Sequence, residues 1–268
     1  MGEAEKSANA APSPVERGLD NPPAKVLVWC SWPEGVTEAD LDAFGEVLSD
    51  DELDQVRHFR NVSSRREYAL AHVLSRLQLS KELHLHPRAW RFERNNGNKP
   101  TLAAPVRPAE LDFNISHAQG CVASALCTGG KIGVDVEGRR RDPQLDTIAG
   151  LCLSENEYHF LKRLPIEERI SSFYLFWTVK ESLLKALGTG FSVPPTSIEL
   201  DLSSISSGNP CLLKQEPSLP CIPWIRLFSP SENYTGAVTV LSNGAASLQY
   251  TFQSMSVETV RHLLSSFF

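Results

Sequence analysis

Phe173-Tyr-Leu-Phe-Trp-Thr-Val-Lys-Glu-Ser-Leu-Leu-Lys-Ala-Leu-Gly-Thr-Gly-Phe191 is the stretch on which the reading of the chain turns. Phe173, Phe176, Trp177, Leu183, Leu184 and Leu187 recur near helical spacing, and Gly188 follows the last of them as a C-terminal stop. The stretch therefore predicts an amphipathic helix followed by a glycine loop. Trp177, Glu181 and Lys185 stand four apart, so an indole, a carboxylate and an ammonium form one stripe beside the apolar face. An exposed glutamate–lysine pair that merely supports the helix would have the same spacing, so the segments upstream have to decide between the two.

Leu111-Asp-Phe-Asn-Ile-Ser-His117 alternates as a strand, with Asn114 and Ser116 sharing one face and His117 at its end. Cys121–Leu126 is a small-residue strand paired to it as a hairpin across Ala118-Gln-Gly120. A lone histidine at a strand end is most often structural. Lys131-Ile-Gly-Val-Asp-Val-Glu137 carries more information, because Ile132, Val134 and Val136 point one way while Gly133, Asp135 and Glu137 point the other. Two carboxylates side by side repel unless something positive lies between them, and oxygen ligands with open water positions suit Mg²⁺. A strand edge decorated with acids is the plain alternative.

The remaining chain supplies the frame. Lys25–Cys30 predicts a strand, Thr37–Asp54 a helix opened by a Thr37/Asp40 capping box, and Ser64–Leu79 a second strong helix with Tyr68, Ala71, Val73, Leu74 and Leu77 on its apolar face. Arg57, Arg60, Arg65, Arg66 and Arg76 make this the most basic region, fit for either a solvated face or an anion site. Trp90–Arg94 alternates as a strand and runs into Asn95-Asn-Gly-Asn-Lys-Pro100, a turn whose Lys99 and backbone N–H groups could cradle phosphate. Ser154-Glu-Asn-Glu157 caps a further helix. Strands follow at Ser197–Leu202 and Trp224–Phe228, and Gly236–Leu241 with Ser247–Phe252 predicts a hairpin around Asn243-Gly244. Ser256–Phe268 is a short-helix candidate.

At 268 residues the chain can bury a large core, and 41% hydrophobic with 22% charged residues is ordinary for a soluble protein. No apolar run approaches a membrane span, and a net charge of -6 argues against nucleic acid as the main partner. Six cysteines without CxxC or metal-ligand spacing read as reduced thiols in an intracellular protein. The first 24 residues, rich in Ala, Pro, Ser and Asn, predict a disordered tail. That tail is too acidic and too poor in arginine for a transit peptide and contains no secretory signal, so the expected location is cytoplasmic. An organellar location stays open, since a mature organellar protein would lack its signal too.

Three motifs then stand in order: Phe113-Asn-Ile-Ser-His117, Ile132-Gly-Val-Asp-Val-Glu137 and Phe176-Trp-Thr-Val-Lys-Glu-Ser-Leu-Leu-Lys185. Together they resemble the Sfp-type 4′-phosphopantetheinyl transferases, in register from about Ser49 to Phe191 and more loosely to about Phe252. The resemblance implies a holo-acyl-carrier-protein synthase activity, in which phosphopantetheine passes from coenzyme A to a serine of an apo acyl or peptidyl carrier protein with Mg²⁺ as cofactor. It implies metal binding by Asp135, Glu137 and Glu181, and coenzyme A contacts from Ser116, His117, Arg94, Lys99 and Lys185. Lys185 is placed at the reacting pyrophosphate, and Glu181 with Lys185 forms the catalytic pair. The family usually has a basic residue a few positions before the phenylalanine matching Phe59; this chain has Gln55 there, and Arg57 or Arg66 would substitute. The implied fold is α+β in two pseudo-symmetric halves, 25–130 and 131–255, each a small mostly antiparallel sheet packed on a long helix, with 256–268 as a tail or short helix. The implied molecule is a monomer without membrane or nucleic-acid partners. The same carboxylates acting on water would instead make a magnesium-dependent phosphohydrolase, and a site without chemistry would be a coenzyme A-binding module.

Overall fold

The polar alternation of the strand ending at His117 sets the architecture. In the computed structural model, which describes residues 24–94, 99–105, 111–142, 144–205, 209–215, 219, 221–242 and 247–268, this strand lies at the seam between two sheets. The N-terminal half contains β1 (Ala24–Ser31), α1 (Glu38–Gly45), α2 (Asp50–His58), α3 (Val62–Leu83), β2 (Arg91–Arg94), β3 (Pro100–Ala104), β4 (Asp112–Ala118) and β5 (Cys121–Cys127). After it come β6 (Lys131–Gly138), α4 (Leu145–Cys152), α5 (Glu155–Arg163), α6 (Ile166–Leu187), β7 (Ile198–Leu200), β8 (Leu212–Gln215), β9 (Trp224–Phe228), β10 (Tyr234–Leu241), β11 (Leu248–Met255) and α7 (Val257–Ser265).

Beside two small two-stranded sheets, β2-β3 and β7-β8, one main sheet runs β11-β1-β5-β4 and the other β6-β10-β9. One face of each sheet turns toward the other: Val26, Val28, Cys121, Ala123 and Ala125 meet Ile132, Val134, Val136, Val238 and Val240 in one fully buried cluster. The opposite faces carry the long helices. α3 is tied to β5 by Ser75 and Gln78, which bond Ser124 at 3.1 and 2.8 Å, and α6 is tied to β10 by Ser182 and Thr239 at 2.7 Å. The fold class is therefore α+β with two similar halves, as the resemblance implies, their sheets back to back and one long helix on each outer face.

Where β4 meets β6 the backbones do not pair, and side chains take over. Asp112 Oδ2, Asn114 Oδ1 and Ser116 Oγ accept the N–H groups of Ile132, Val134 and Val136 at 2.9, 2.9 and 3.4 Å, one acceptor for every second residue. The period-2 spacing of polar residues on β4 thus replaces a ladder of main-chain bonds and fixes the register of β6. Asn114→Ala should leave the buried Val134 N–H without its acceptor and cost about 1–3 kcal/mol. Urea denaturation of the two proteins checks it, with an unchanged midpoint counting against the seam.

Several expected elements differ. The helix expected over 37–54 is two helices, because Ser49 and Glu52 form a second capping box, interrupting the run that Thr37 and Asp40 begin. α3 starts at Val62 under an Asn61 cap, and α6 starts at Ile166, well before Phe173. The hairpin expected of 236–241 with 247–252 is absent. Both edges of β10 are taken, by β6 and β9, so β11 crosses back and pairs parallel with β1 in the other half. The end of the chain, α7 included, packs with the N-terminal core through Met255, Val257, Val260 and Leu264. The Asn243-Gly244 turn and, but for Ala24, the N-terminal tail lie outside the described residues.

No described cysteine is bonded to another, and Cys30, Cys121, Cys127 and Cys152 are buried. Among the described residues no helix is long and apolar enough to cross a membrane.

Candidate active site

Gly133 brings the helix to the site. A Cβ at this position would run into the Ser182 carbonyl oxygen and the Ala186 nitrogen of α6, so only glycine lets the helix backbone settle directly on β6. At its far end α6 stops at Gly188, whose φ of 69° suits glycine and whose N–H caps the Leu184 carbonyl at 3.0 Å. The Trp177, Glu181 and Lys185 stripe then lies over the acidic face of β6. Trp177 Nε1 donates to Glu137 Oε1 at 3.2 Å, while Lys185 Nζ donates to Asp135 Oδ1 at 2.7 Å and to Ser116 Oγ at 3.0 Å. Ser116 in turn donates to Asp135 Oδ1 at 2.9 Å. Lys185 therefore reaches a carboxylate fifty positions earlier in the chain, and the plain reading of a surface helix pair does not hold.

Two of the three carboxylates are short of partners. Asp135 is only 4% exposed, yet its Oδ2 is buried without a hydrogen bond, and so is Glu181 Oε1. Burial, and then the Asp135 charge, push the Glu137 carboxyl up to about 7; the same two causes raise Glu181, with Lys185 opposing them. Such a set of oxygens suits a hard divalent cation, since an ion among them would satisfy the orphaned atoms and remove the repulsion. Among the described residues no three metal-capable side chains are already drawn together as a ligand set, and at Asp135 the ammonium of Lys185 provides the positive charge.

Next to these residues lies a cavity of about 520 Å³ in the N-terminal half, bordered by Ser49, Gln55, Tyr68, His72, Phe92 and His117. His117, the neighbour of Ser116, is exposed, with Glu67 Oε2 4.0 Å from its Nδ1. The wall is held rigid from behind. Glu52 accepts from His72 at 2.8 Å and from Arg76 at 2.9 Å, and Arg76 also bonds the Pro87 and Trp90 carbonyls. Tyr68 stacks on His72 with ring centres 4.2 Å apart, and Phe92 is another lining ring. The lining mixes these rings with the carboxylates of Asp51, Glu52 and Glu93, and the rings would take a heterocycle.

The basic residues separate into distinct roles. Arg76, one of the cluster on α3, is fully buried and structural. Arg57 is exposed and paired with Asp54 at 3.0 Å. Arg66 is half-buried, and its Nε has no hydrogen-bond partner, which leaves a donor to offer. The side chain of Arg94 lies outside the described residues. Lys99 is not displayed on an open turn: it is 8% exposed, and its ammonium donates to Asp112 Oδ2 at 2.6 Å and to the Ile132 carbonyl at 2.7 Å. It neutralises the first carboxylate of the seam, so its observed work is to join the halves. Asp112 was missed from the sequence because it precedes the evident alternation by one apolar residue. Glu67, which accepts the Gly120 N–H at 3.2 Å and faces His117, was missed as an ordinary helix glutamate.

Two family models match this chain: the 4′-phosphopantetheinyl transferase superfamily model over residues 131–238, and the model for the N-terminal part of a 4′-phosphopantetheinyl transferase over 32–128. The chain belongs to the 4′-phosphopantetheinyl transferase superfamily and is a transferase of that type. It is 28% identical to the 4′-phosphopantetheinyl transferase HetI of Nostoc sp., over 77% of this chain and 84% of that one. To the 4′-phosphopantetheinyl transferase Sfp of Bacillus subtilis it is 27% identical, over 76% of this chain and 86% of the relative. The holo-acyl-carrier-protein synthase of Thermotoga maritima aligns over 43% of this chain and 65% of its own, at 23% identity and a TM-score of 0.33.

Proposed function

We propose that this chain transfers 4′-phosphopantetheine from coenzyme A to a serine of an apo carrier protein, in a reaction that depends on Mg²⁺. The observation that carries this reading is the stripe of α6 laid over β6, which puts Glu181 and Lys185 beside Asp135 and Glu137 with two buried carboxylate oxygens left without partners. Asp135, Glu137 and Glu181 would hold the ion. Once bound, a divalent ion supplies charge neutralisation at pyrophosphate oxygens.

The chain's own residues do the rest. The cavity takes the adenine end of coenzyme A, and His117 at its border, together with Arg66, whose Nε has no hydrogen-bond partner, holds phosphate. Ser116 sets the position of Asp135. Glu181 is the base that takes the proton of the incoming serine: burial and Asp135 raise its basicity, and its Oε1 has no donor to satisfy it. Lys185 offsets the charge that builds on the leaving adenosine bisphosphate. Holding two large reactants in line contributes much of the remaining acceleration.

Incubation with coenzyme A, Mg²⁺ and a panel of apo carrier proteins should add the mass of one phosphopantetheine to at least one carrier, and EDTA should stop it. Release of free phosphopantetheine with no carrier modified would mean a phosphohydrolase instead. In the same assay His117→Ala is expected to raise the KM for coenzyme A about tenfold, the worth of one hydrogen bond to a charged group, with kcat nearly kept. A large loss of kcat at unchanged KM would move His117 into the reacting centre.

A further inference from the structure

We infer that Lys185 stands in the cation's place in the free protein, so that a divalent ion and coenzyme A bind as a mutually dependent pair. This rests on the metal reading above and adds an order to it. The geometry is specific. Lys185 Nζ lies 2.7 Å from Asp135 Oδ1 and 3.0 Å from Ser116 Oγ, and Ser116 itself donates to the same Oδ1 at 2.9 Å. Asp135 is 4% exposed, so little water is at hand to replace a lost partner. Its second oxygen, Oδ2, has none, and neither has Glu181 Oε1.

The free site is thus half satisfied: one carboxylate oxygen holds an ammonium and a hydroxyl, and two others wait. A divalent ion entering among them meets the ammonium as a like charge on the carboxylate it needs, so the closed Lys185–Asp135 pair opposes its entry. Lysine can move away, because its charge sits at the end of a flexible four-carbon stem and its side chain here is 28% exposed, against 5% for that of Asp135. The other carboxylates near it, Glu137 and Glu181, are themselves needed by the ion, so what it lacks in the free protein is an anion outside that set. The pyrophosphate of coenzyme A is that anion. Its arrival draws Lys185 off Asp135 and opens the carboxylate to the ion, while the ion, once held, drives Lys185 toward the pyrophosphate. Coupling of this kind is reciprocal: each ligand tightens the other by the same factor.

The test is binding, without turnover. Mn²⁺ is titrated into the full chain and free ion followed by electron paramagnetic resonance, with and without saturating coenzyme A, for the wild type, Lys185→Met and Asp135→Asn, corrected for Mn²⁺ held by coenzyme A alone. Lys185→Met, without coenzyme A, is expected to bind Mn²⁺ roughly tenfold tighter than the wild type, and the tightening on adding coenzyme A is expected to shrink. Lys185→Gln serves in the same role if the methionine variant does not fold. Equal or weaker Mn²⁺ binding by the lysine variants overturns the inference and leaves the metal site standing, provided Asp135→Asn abolishes binding. No stoichiometric Mn²⁺ binding in the wild type with coenzyme A, and no effect of Asp135→Asn, overturns the metal reading and the inference together.

Discussion

Glu181→Gln is expected to lower the single-turnover transfer rate on the order of a thousandfold, the usual worth of a positioned base, while leaving the fold intact. The substitution keeps the shape of the side chain and removes both its charge and its basicity. In the free protein little is lost with them, because Glu181 Oε1 accepts no hydrogen bond and burial with Asp135 disfavours the carboxylate more than Lys185 favours it. Melting temperature should therefore hold or rise slightly. Lys185→Arg is the comparison, since it retains a cation with different reach and donor geometry and should keep partial activity. Rates are measured with preloaded coenzyme A and saturating apo carrier protein, so that binding differences drop out. If Glu181→Gln proved the faster of the two, the roles given to the stripe would be reversed, although the family would stand.

The stripe was legible because its signal is local. Spacing of four on a helix and of two on a strand are properties of the backbone, so Trp177, Glu181 and Lys185, like Asp135 and Glu137, could be grouped before any contact was known. Their mutual approach was only half legible. Gly133 marks the place where α6 comes down, and in a strand reading it is simply the small member of the acidic face. What escaped the sequence is nonlocal. The pairing of β11 with β1 depends on both edges of β10 being occupied, and the residues of β11 do not record this. Turn chemistry at Asn243-Gly244 argued for the nearer partner. Lys99 was misplaced for a related reason: the composition of a turn says that a lysine is exposed, whereas the seam places Asp112 and a free carbonyl where its ammonium can be buried. Loss of the seam's polar side chains would pull apart the two halves that carry the site, so the fold and the chemistry are tied through the same strand.

Glu157→Ala is expected to cost about 3–5 kcal/mol, the penalty of leaving one partner of a buried ion pair uncompensated. For a chain of this size that is a fall of roughly 6–20 °C in melting temperature. Glu157 and Lys180 are both wholly enclosed, 2.5 Å apart. Glu157 also caps its own helix through the Ser154 N–H at 2.8 Å and accepts the Leu200 N–H at 2.9 Å, while Lys180 bonds the Cys152 and Pro195 carbonyls at 3.0 Å each. One pair thus fastens α6 to α4, to α5 and to the connection that follows Gly188. Lys180 is the sequence neighbour of Glu181 but lies on another face of the helix, so this prediction separates support from chemistry within two adjacent residues. Glu157→Ala assayed well below its melting temperature should retain most of the transfer rate, unlike Glu181→Gln. Replacing both members by leucine or methionine should recover part of the stability, because no charge is then left unpaired, although the Ser154 and Leu200 N–H groups still lose their acceptor. A Glu157→Ala protein that melts with the wild type, or one that stays folded and loses transfer as completely as Glu181→Gln, would show that the pair does other work than holding the helix.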